Sequence, residues 1–282
     1  MPQLQVAKDI DIFYREDDFT NPWQHRPTLL LQHGNGRSSE FWYRWIPYLS
    51  RHFKIVRADM RGVGRSSPIQ NTQDDISIEH CVSDLVQLIE HLNVSPVYFC
   101  GESMGGILGM ALSSLHPQLV KALILVATPV YISDAMKSRY AMGHGSRLDA
   151  MKKMGIKNWV RETSVLTRFA PDTDPHLIDW YVDEFAKGQP EVLVRYSELV
   201  NSANAKEFLP QIQCPTLAIM PSNGQITDAD QEALIQQNIQ NIRIEHIQTP
   251  FHMIHLTHVK ECTDKVLDFL KDLEHQSDTH AN

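Results

Sequence analysis

The 282-residue chain lacks a basic surplus: 26 lysines and arginines stand against 34 aspartates and glutamates, a formal charge of −8. Nucleic acid and anionic membrane surfaces both attract a basic face, so this balance argues against either as a partner. No apolar run approaches the roughly 20 residues of a membrane span. Residues 1–11 carry neither the basic nor the apolar region of a secretory signal. Cysteine is scarce. Cys81, Cys100, Cys214 and Cys262 form no C-x-x-C pair, which argues against a zinc site or a disulfide framework. They read as small core residues in a reducing compartment, and the expected location is cytoplasmic. Asn93-Val94-Ser95 fits a glycosylation sequon, but without a secretion signal it reads as accidental. The histidines are dispersed, so neither a metal nor another cofactor is expected. There is no internal repeat, and the one biased tract is the polar tail 275–282.

Glycine is also sparse, 13 in all, which gives weight to where it clusters. Gly101-Glu102-Ser103-Met104-Gly105 follows the apolar run Val97-Tyr98-Phe99-Cys100 and opens a helix-like stretch over 106–115. A serine between two glycines at a strand-to-helix junction is the signature of a nucleophile elbow. The turn strains the serine backbone, and the chain around it must approach so closely that only small residues fit. That strain lifts the hydroxyl out of the sheet. It also aims the Met104 backbone N–H at the place where negative charge would develop. The alternative is a Gly-rich anion-binding helix start.

Around this junction strands and helices alternate. Residues 4–16 read as one or two antiparallel edge strands, and 28–32, 53–58, 97–100, 122–127, 215–220 and 242–247 as further strands. Continuous apolar runs such as Thr28-Leu29-Leu30-Leu31-Gln32 suit strands buried on both faces. Helices are expected through Phe41, Trp42, Trp45, Ile46 and Leu49 with Ser38 or Ser39 as cap, and over 76–92, 228–238 and 259–270. The pattern predicts an α/β fold, a doubly wound and mostly parallel sheet with helices on both sides. The rhythm breaks after Thr128-Pro129. From 130 to about 210 only short helices are expected, rich in Met and aromatic residues, and such an insertion sits above the carboxyl ends of the strands, where ligands bind.

Four segments together resemble the α/β-hydrolase family, of the type with a helical cap. They are His33-Gly34-Asn35-Gly36, the loop from Asp59-Met60-Arg61-Gly62 to Ser66, the elbow, and His252-Met253-Ile254-His255-Leu256. The resemblance implies a core of 1–129 and 212–282 with a cap over 130–211. It makes Ser103 the nucleophile and His252 the base that takes its proton and later protonates the leaving group. It assigns the oxyanion hole to the backbone N–H groups of Asn35 and Met104. His255 is a competitor for the base, read instead as a surface or pocket-lining histidine. Asp59 and Arg61 are expected to brace the loops. Glu102 could sit near the nucleophile and tune the site, but reads rather as a partly buried, hydrogen-bonded carboxylate without a catalytic role.

The third member of the triad is missing. Where the family keeps G-x-x-D, the chain reads Pro221-Ser222-Asn223-Gly224, and the other location reads Ala127-Thr128-Pro129. Losing the acid from a comparable triad costs on the order of 10⁴-fold in rate. Three readings stand open: Asn223 orients His252; Asp228 or Asp230 reaches in, although both also suit a helix N-terminus; or the protein is catalytically weakened and binds a ligand. The favoured expectation is a cofactor-independent serine hydrolase of a small carboxylic ester or lactone with an apolar portion, using Ser103, His252 and a substitute orienter. The alternative within the fold is carbon–carbon bond hydrolysis. It needs cations on a substrate carboxylate, for which Arg139, Arg147, Arg161, Arg168 and Arg195 are candidates unless they are merely solvated.

Overall fold

The computed structural model describes residues 2–280. Eight strands form one sheet: β1 (Gln3–Ala7), β2 (Ile10–Asp17), β3 (Thr28–Gln32), β4 (Lys54–Ala58), β5 (Val97–Glu102), β6 (Val120–Val126), β7 (Thr216–Pro221) and β8 (Ile242–Ile247). Their order is β1-β2-β4-β3-β5-β6-β7-β8. β1 and β2 pair antiparallel, as β2 does with β4; every other pair is parallel. β3, β5 and β7 are buried at every residue, which is why they read as unbroken apolar runs.

Alternation along each strand feeds two cores. Leu29 and Leu31 of β3 and Tyr98 and Cys100 of β5 face one side; Leu30 and Phe99 face the other. Between the strands run α1 (Ile46–Leu49), α2 (Thr72–Asp75), α3 (Ile78–Leu92) and α4 (Met104–Leu115). Ser77 caps α3 by accepting from His80 N–H, and Asn93 ends it at φ 51. The sequon asparagine is thus a helix C-cap, a left-handed position that asparagine tolerates.

Five helices stand between β6 and β7: α5 (Asp134–Tyr140), α6 (Arg147–Met154), α7 (Ile156–Thr167), α8 (Pro175–Ala186) and α9 (Pro190–Ser202). A bridge between Tyr131 and Asn204 closes the neck of this insertion. The chain ends with α10 (Ala229–Asn238), α11 (Ile254–Thr257) and α12 (Val259–His280), so the tail is helical to residue 280, and 281–282 lie outside the described residues.

One expected helix is corrected. Residues 41–49 form a 3₁₀ turn, Ser39–Trp42, and then the four-residue α1. Pro47 in the first turn of α1 has no N–H to continue a helix from the turn before it. No helix among the described residues is long and apolar enough to cross a membrane.

Candidate active site

The sheet order reverses at β3, whose neighbours are β4 and β5. Loops leaving the carboxyl ends of β3 and β5 therefore diverge over a crevice, the place where open α/β sheets bind ligands. Asn35 follows β3 and Ser103 follows β5. Ser103 has φ 54 and ψ −117, a conformation costing an L residue about 1–3 kcal/mol. A Cβ on Gly101 would lie 2.3 Å from Gly105 O, and one on Gly105 2.3 Å from Gln32 O. Both obstacles are backbone, so the small residues flanking the serine are obligatory. The Ser103 N–H donates to Val126 O at 3.0 Å, while its carbonyl accepts from Gly106 and Ile107 N–H at 3.0 and 3.2 Å. This clamp holds the strained turn and leaves the half-buried side chain on a cavity of ≈ 30 Å³.

His252 lines the same cavity from the loop between β8 and α11. Its backbone N–H donates to Thr167 O at 3.0 Å and that of Met253 to Arg168 O at 3.1 Å, so the end of α7 fixes the loop. Burial, then the nearby Arg37 and Arg168, hold the imidazole well below its ordinary range. The ring is neutral and able to accept a proton. Its Nε2 lies 3.5 Å from Glu102 Oε1, and its buried Nδ1 has no hydrogen-bond partner among the described residues. No hydrogen bond joins Ser103 to His252 among the described residues: they share a cavity, and such contacts commonly tighten only with substrate bound.

Glu102, expected to be a partly buried carboxylate without a catalytic role, lies against His252. Burial pushes its carboxyl up to about 7, against the pull of Arg37, whose Nη1 is 3.4 Å from Glu102 Oε2. Burial also works against the Arg37 charge, but Glu102, Tyr181 and Tyr140 outweigh it. The strand expected from sequence stops at Cys100, but β5 runs on to Glu102 and buries it fully, beyond the partial burial expected.

The proposed orienters lie elsewhere. Asn223 is exposed at φ 55 and makes no hydrogen bond to His252. Asp228 caps α10, accepting from Gln231 N–H at 3.1 Å, and Asp230 is exposed in that helix's first turn. Gly224, at the family's acid position, cannot take a side chain in place: a Cβ would lie 2.8 Å from Pro221 Cγ, Thr227 O and Thr227 Oγ1. Ala127 is buried at φ 45. His255 is neither exposed nor on the cavity; it packs 5.4 Å from the Trp42 ring.

Asn35 is buried on the cavity, and Met104 is the first residue of α4, where backbone N–H groups lack intrahelical partners. The bracing loops are fully paired. Asp59 accepts from Ser39 N–H at 2.6 Å and Arg65 N–H at 2.8 Å; Arg61 Nε donates to Asp84 at 2.7 Å and Nη1 to Asp75 O at 2.7 Å. Among the described residues no three His, Cys, Asp or Glu side chains cluster as metal ligands do.

A family model described as alpha/beta hydrolase fold matches residues 27–169. The chain belongs to that family. A protein of Serratia proteamaculans (strain 568), provisionally named carbamate hydrolase RutD, is 29% identical over 198 residues, 68% of this chain and 72% of its own. The 3-oxoadipate enol-lactonase 2 of Acinetobacter baylyi is 22% identical over 84% of both chains. The crystal structure of an enol-lactonase from Burkholderia xenovorans LB400 superposes with a TM-score of 0.82 at 23% identity, covering 96% of this chain and all of its own.

Proposed function

We propose that this protein is a serine hydrolase that cleaves a carboxylic ester or lactone through an acyl-enzyme on Ser103. The observation that carries the reading is the strained Ser103 sharing one small cavity with a buried, neutral His252. The serine hydroxyl attacks the carbonyl carbon while His252 Nε2 takes its proton. The alkoxide that forms is met by the N–H groups of Asn35 and Met104, each such donor worth about 3 kcal/mol in the transition state. The imidazolium protonates the leaving alcohol, and water then releases the acid by the same route. The carbamate, enol-lactone and ester names of the relatives share this step, attack at a carbonyl carbon.

Glu102 takes over part of the missing acid's task. As a carboxylate 3.5 Å from Nε2 it stabilises the imidazolium through space, although it does not hold Nδ1. The insertion over 130–211 serves as the cap, with its Ile132, Tyr140 and Val200 giving the cavity an apolar wall together with Ile226 of the loop after β7.

The unpartnered Nδ1 and the closed Gly224 position favour a second reading, a ligand receptor with the same pocket and slow turnover. A fluorophosphonate probe separates the two. Stoichiometric labelling of the intact protein, lost in Ser103→Ala, supports the hydrolase. A folded sample that stays unlabelled supports the receptor.

A further inference from the structure

Buried guanidinium groups are ordinarily matched by a carboxylate, because an uncompensated charge away from water is costly. Two arginines of the insertion break this rule. Arg147, at the start of α6, and Arg168, just after α7, are each 4% exposed, yet neither forms an ion pair among the described residues. Among the described residues Arg147 Nε has no hydrogen-bond partner, and Arg168 Nη1 donates to Thr163 Oγ1 at 2.5 Å. Both open onto the cavity that holds Ser103 and His252.

What supports these cations is aromatic. The Arg147 guanidinium lies 4.7 Å from the Trp159 ring centre and 5.1 Å from that of Tyr140, and Arg168 lies 5.4 Å from Tyr140 and 5.6 Å from Trp159. Ring faces attract a cation but do not neutralise it. Burial first, with Arg168 and Arg37 adding to it, brings Arg147 down to about 10, which still leaves it charged at neutral pH. Glu102 faces the neighbouring Arg37 and is itself only part-ionised at neutrality. The cavity therefore carries a net positive charge, although the whole chain is acidic.

We propose that Arg147 and Arg168 form an anion subsite for a carboxylate borne by the substrate, so that the hydrolase acts on esters or lactones of dicarboxylic or oxo acids. The inference rests on the hydrolase reading for the reaction, but not for the binding. Arg147 and Arg168 line the cavity that Ser103 also lines, and planar guanidinium forks suit a planar carboxylate. With its carboxylate between the arginines, the substrate has its reacting carbonyl held toward Ser103 in the same enclosure.

The test compares the para-nitrophenyl monoester of glutaric acid with the para-nitrophenyl ester of pentanoic acid. The wild type is expected to favour the anionic ester in kcat/KM by about tenfold or more. That ratio should fall toward one in Arg147→Gln and Arg168→Gln and be partly kept in Arg147→Lys. Because the Arg168 turn also holds the His252 loop, Arg147 is the cleaner site. Glutarate, at constant ionic strength, should raise the Tm of the wild type but not of Arg147→Gln. Without ligand, Arg147→Gln should melt no lower than the wild type, whereas a structural arginine would lower it.

A wild type that hydrolyses both esters without preference overturns the subsite and leaves the hydrolase standing. Glutarate stabilisation that needs Arg147, with neither ester cleaved, keeps the subsite and removes the hydrolase reading. Equal stabilisation by inorganic phosphate rejects the carboxylate as the preferred group.

Discussion

Arg61, in the loop after β4, and Arg147, at the start of α6, are 3% and 4% exposed, both hidden from water, but their surroundings differ. Arg61 donates from Nε and Nη2, one edge of its guanidinium, to the two Asp84 carboxylate oxygens, and from Nη1 to the Asp75 carbonyl. Arg147 has aromatic rings and the charge of another arginine. A folded chain that closes one buried cation completely and leaves another open has used them differently. The first holds loops in place. The second is completed only from outside the molecule. On the proposed reading the same division runs through the site: the sheet side supplies the strained serine, the base and the backbone donors, and the insertion supplies unmatched charge.

The comparison breaks first if chemistry does not belong to the sheet side. Ser103→Ala or His252→Ala should lower kcat on any cleaved ester on the order of 10³-fold or more. Ester hydrolysis assays with each purified variant check this, and a loss under tenfold for both would move the chemistry elsewhere. Next in size is the contrast in stability. Arg61→Met strands the buried Asp84 carboxyl, and removing one partner of such a pair costs about 3–5 kcal/mol. Arg147→Met strands nothing, so denaturant unfolding should show a change of about 1 kcal/mol or less. Equal losses in both variants would erase the distinction between them.

The same physics explains what the sequence disclosed. A parallel strand covered on both faces must be apolar throughout, so β3 coincides with its expected bounds, 28–32; β8, a half-buried edge strand, coincides with 242–247 because Ile242, Ile244 and Ile247 are interspersed with polar residues. The elbow was legible because backbone clashes forbid a side chain at Gly101 and Gly105. Residues 41–49 misled because Trp42, Trp45 and Leu49 keep helical spacing while packing from two short pieces. Charges were the least legible. Arg161 pairs with Asp179 and Arg139 is exposed, as solvated charges would be, and nothing in composition separates them from the buried pair. One weak signal existed. A cation in the first turn of α6 opposes the helix dipole, so Arg147 had to be there for another reason.

Glu102 sharpens the comparison from the sheet side, since its carboxyl lies 3.5 Å from the ring of His252, the proposed base. Its pKa is raised in the folded protein to about 7, so its share of stability is full below the unfolded glutamate range of about 4.3 and is lost as pH climbs through 7. Activity should run the other way. Above 7 the carboxylate stabilises the His252 imidazolium, so kcat should rise with pH through about 7, and Glu102→Gln should flatten that rise by a fewfold effect on rate. A Glu102→Gln profile that keeps the inflection would assign it to another group.

The smallest effect is expected at Asp228, and it bears on whether the sheet side really lacks its acid. The carboxylate accepts from the Gln231 N–H at the start of α10, the geometry of an N-cap, and no hydrogen bond links it to His252. Asp228→Ala should therefore cost about 1 kcal/mol of stability and change kcat by no more than about twofold, a shift of roughly 0.4 kcal/mol in the barrier. Asp228→Asn should restore the cap and the stability together, because an amide oxygen accepts the same N–H. If kcat instead fell about a thousandfold in both variants, Asp228 would reach His252 during turnover, the triad would be whole, and the through-space role given to Glu102 would be unnecessary.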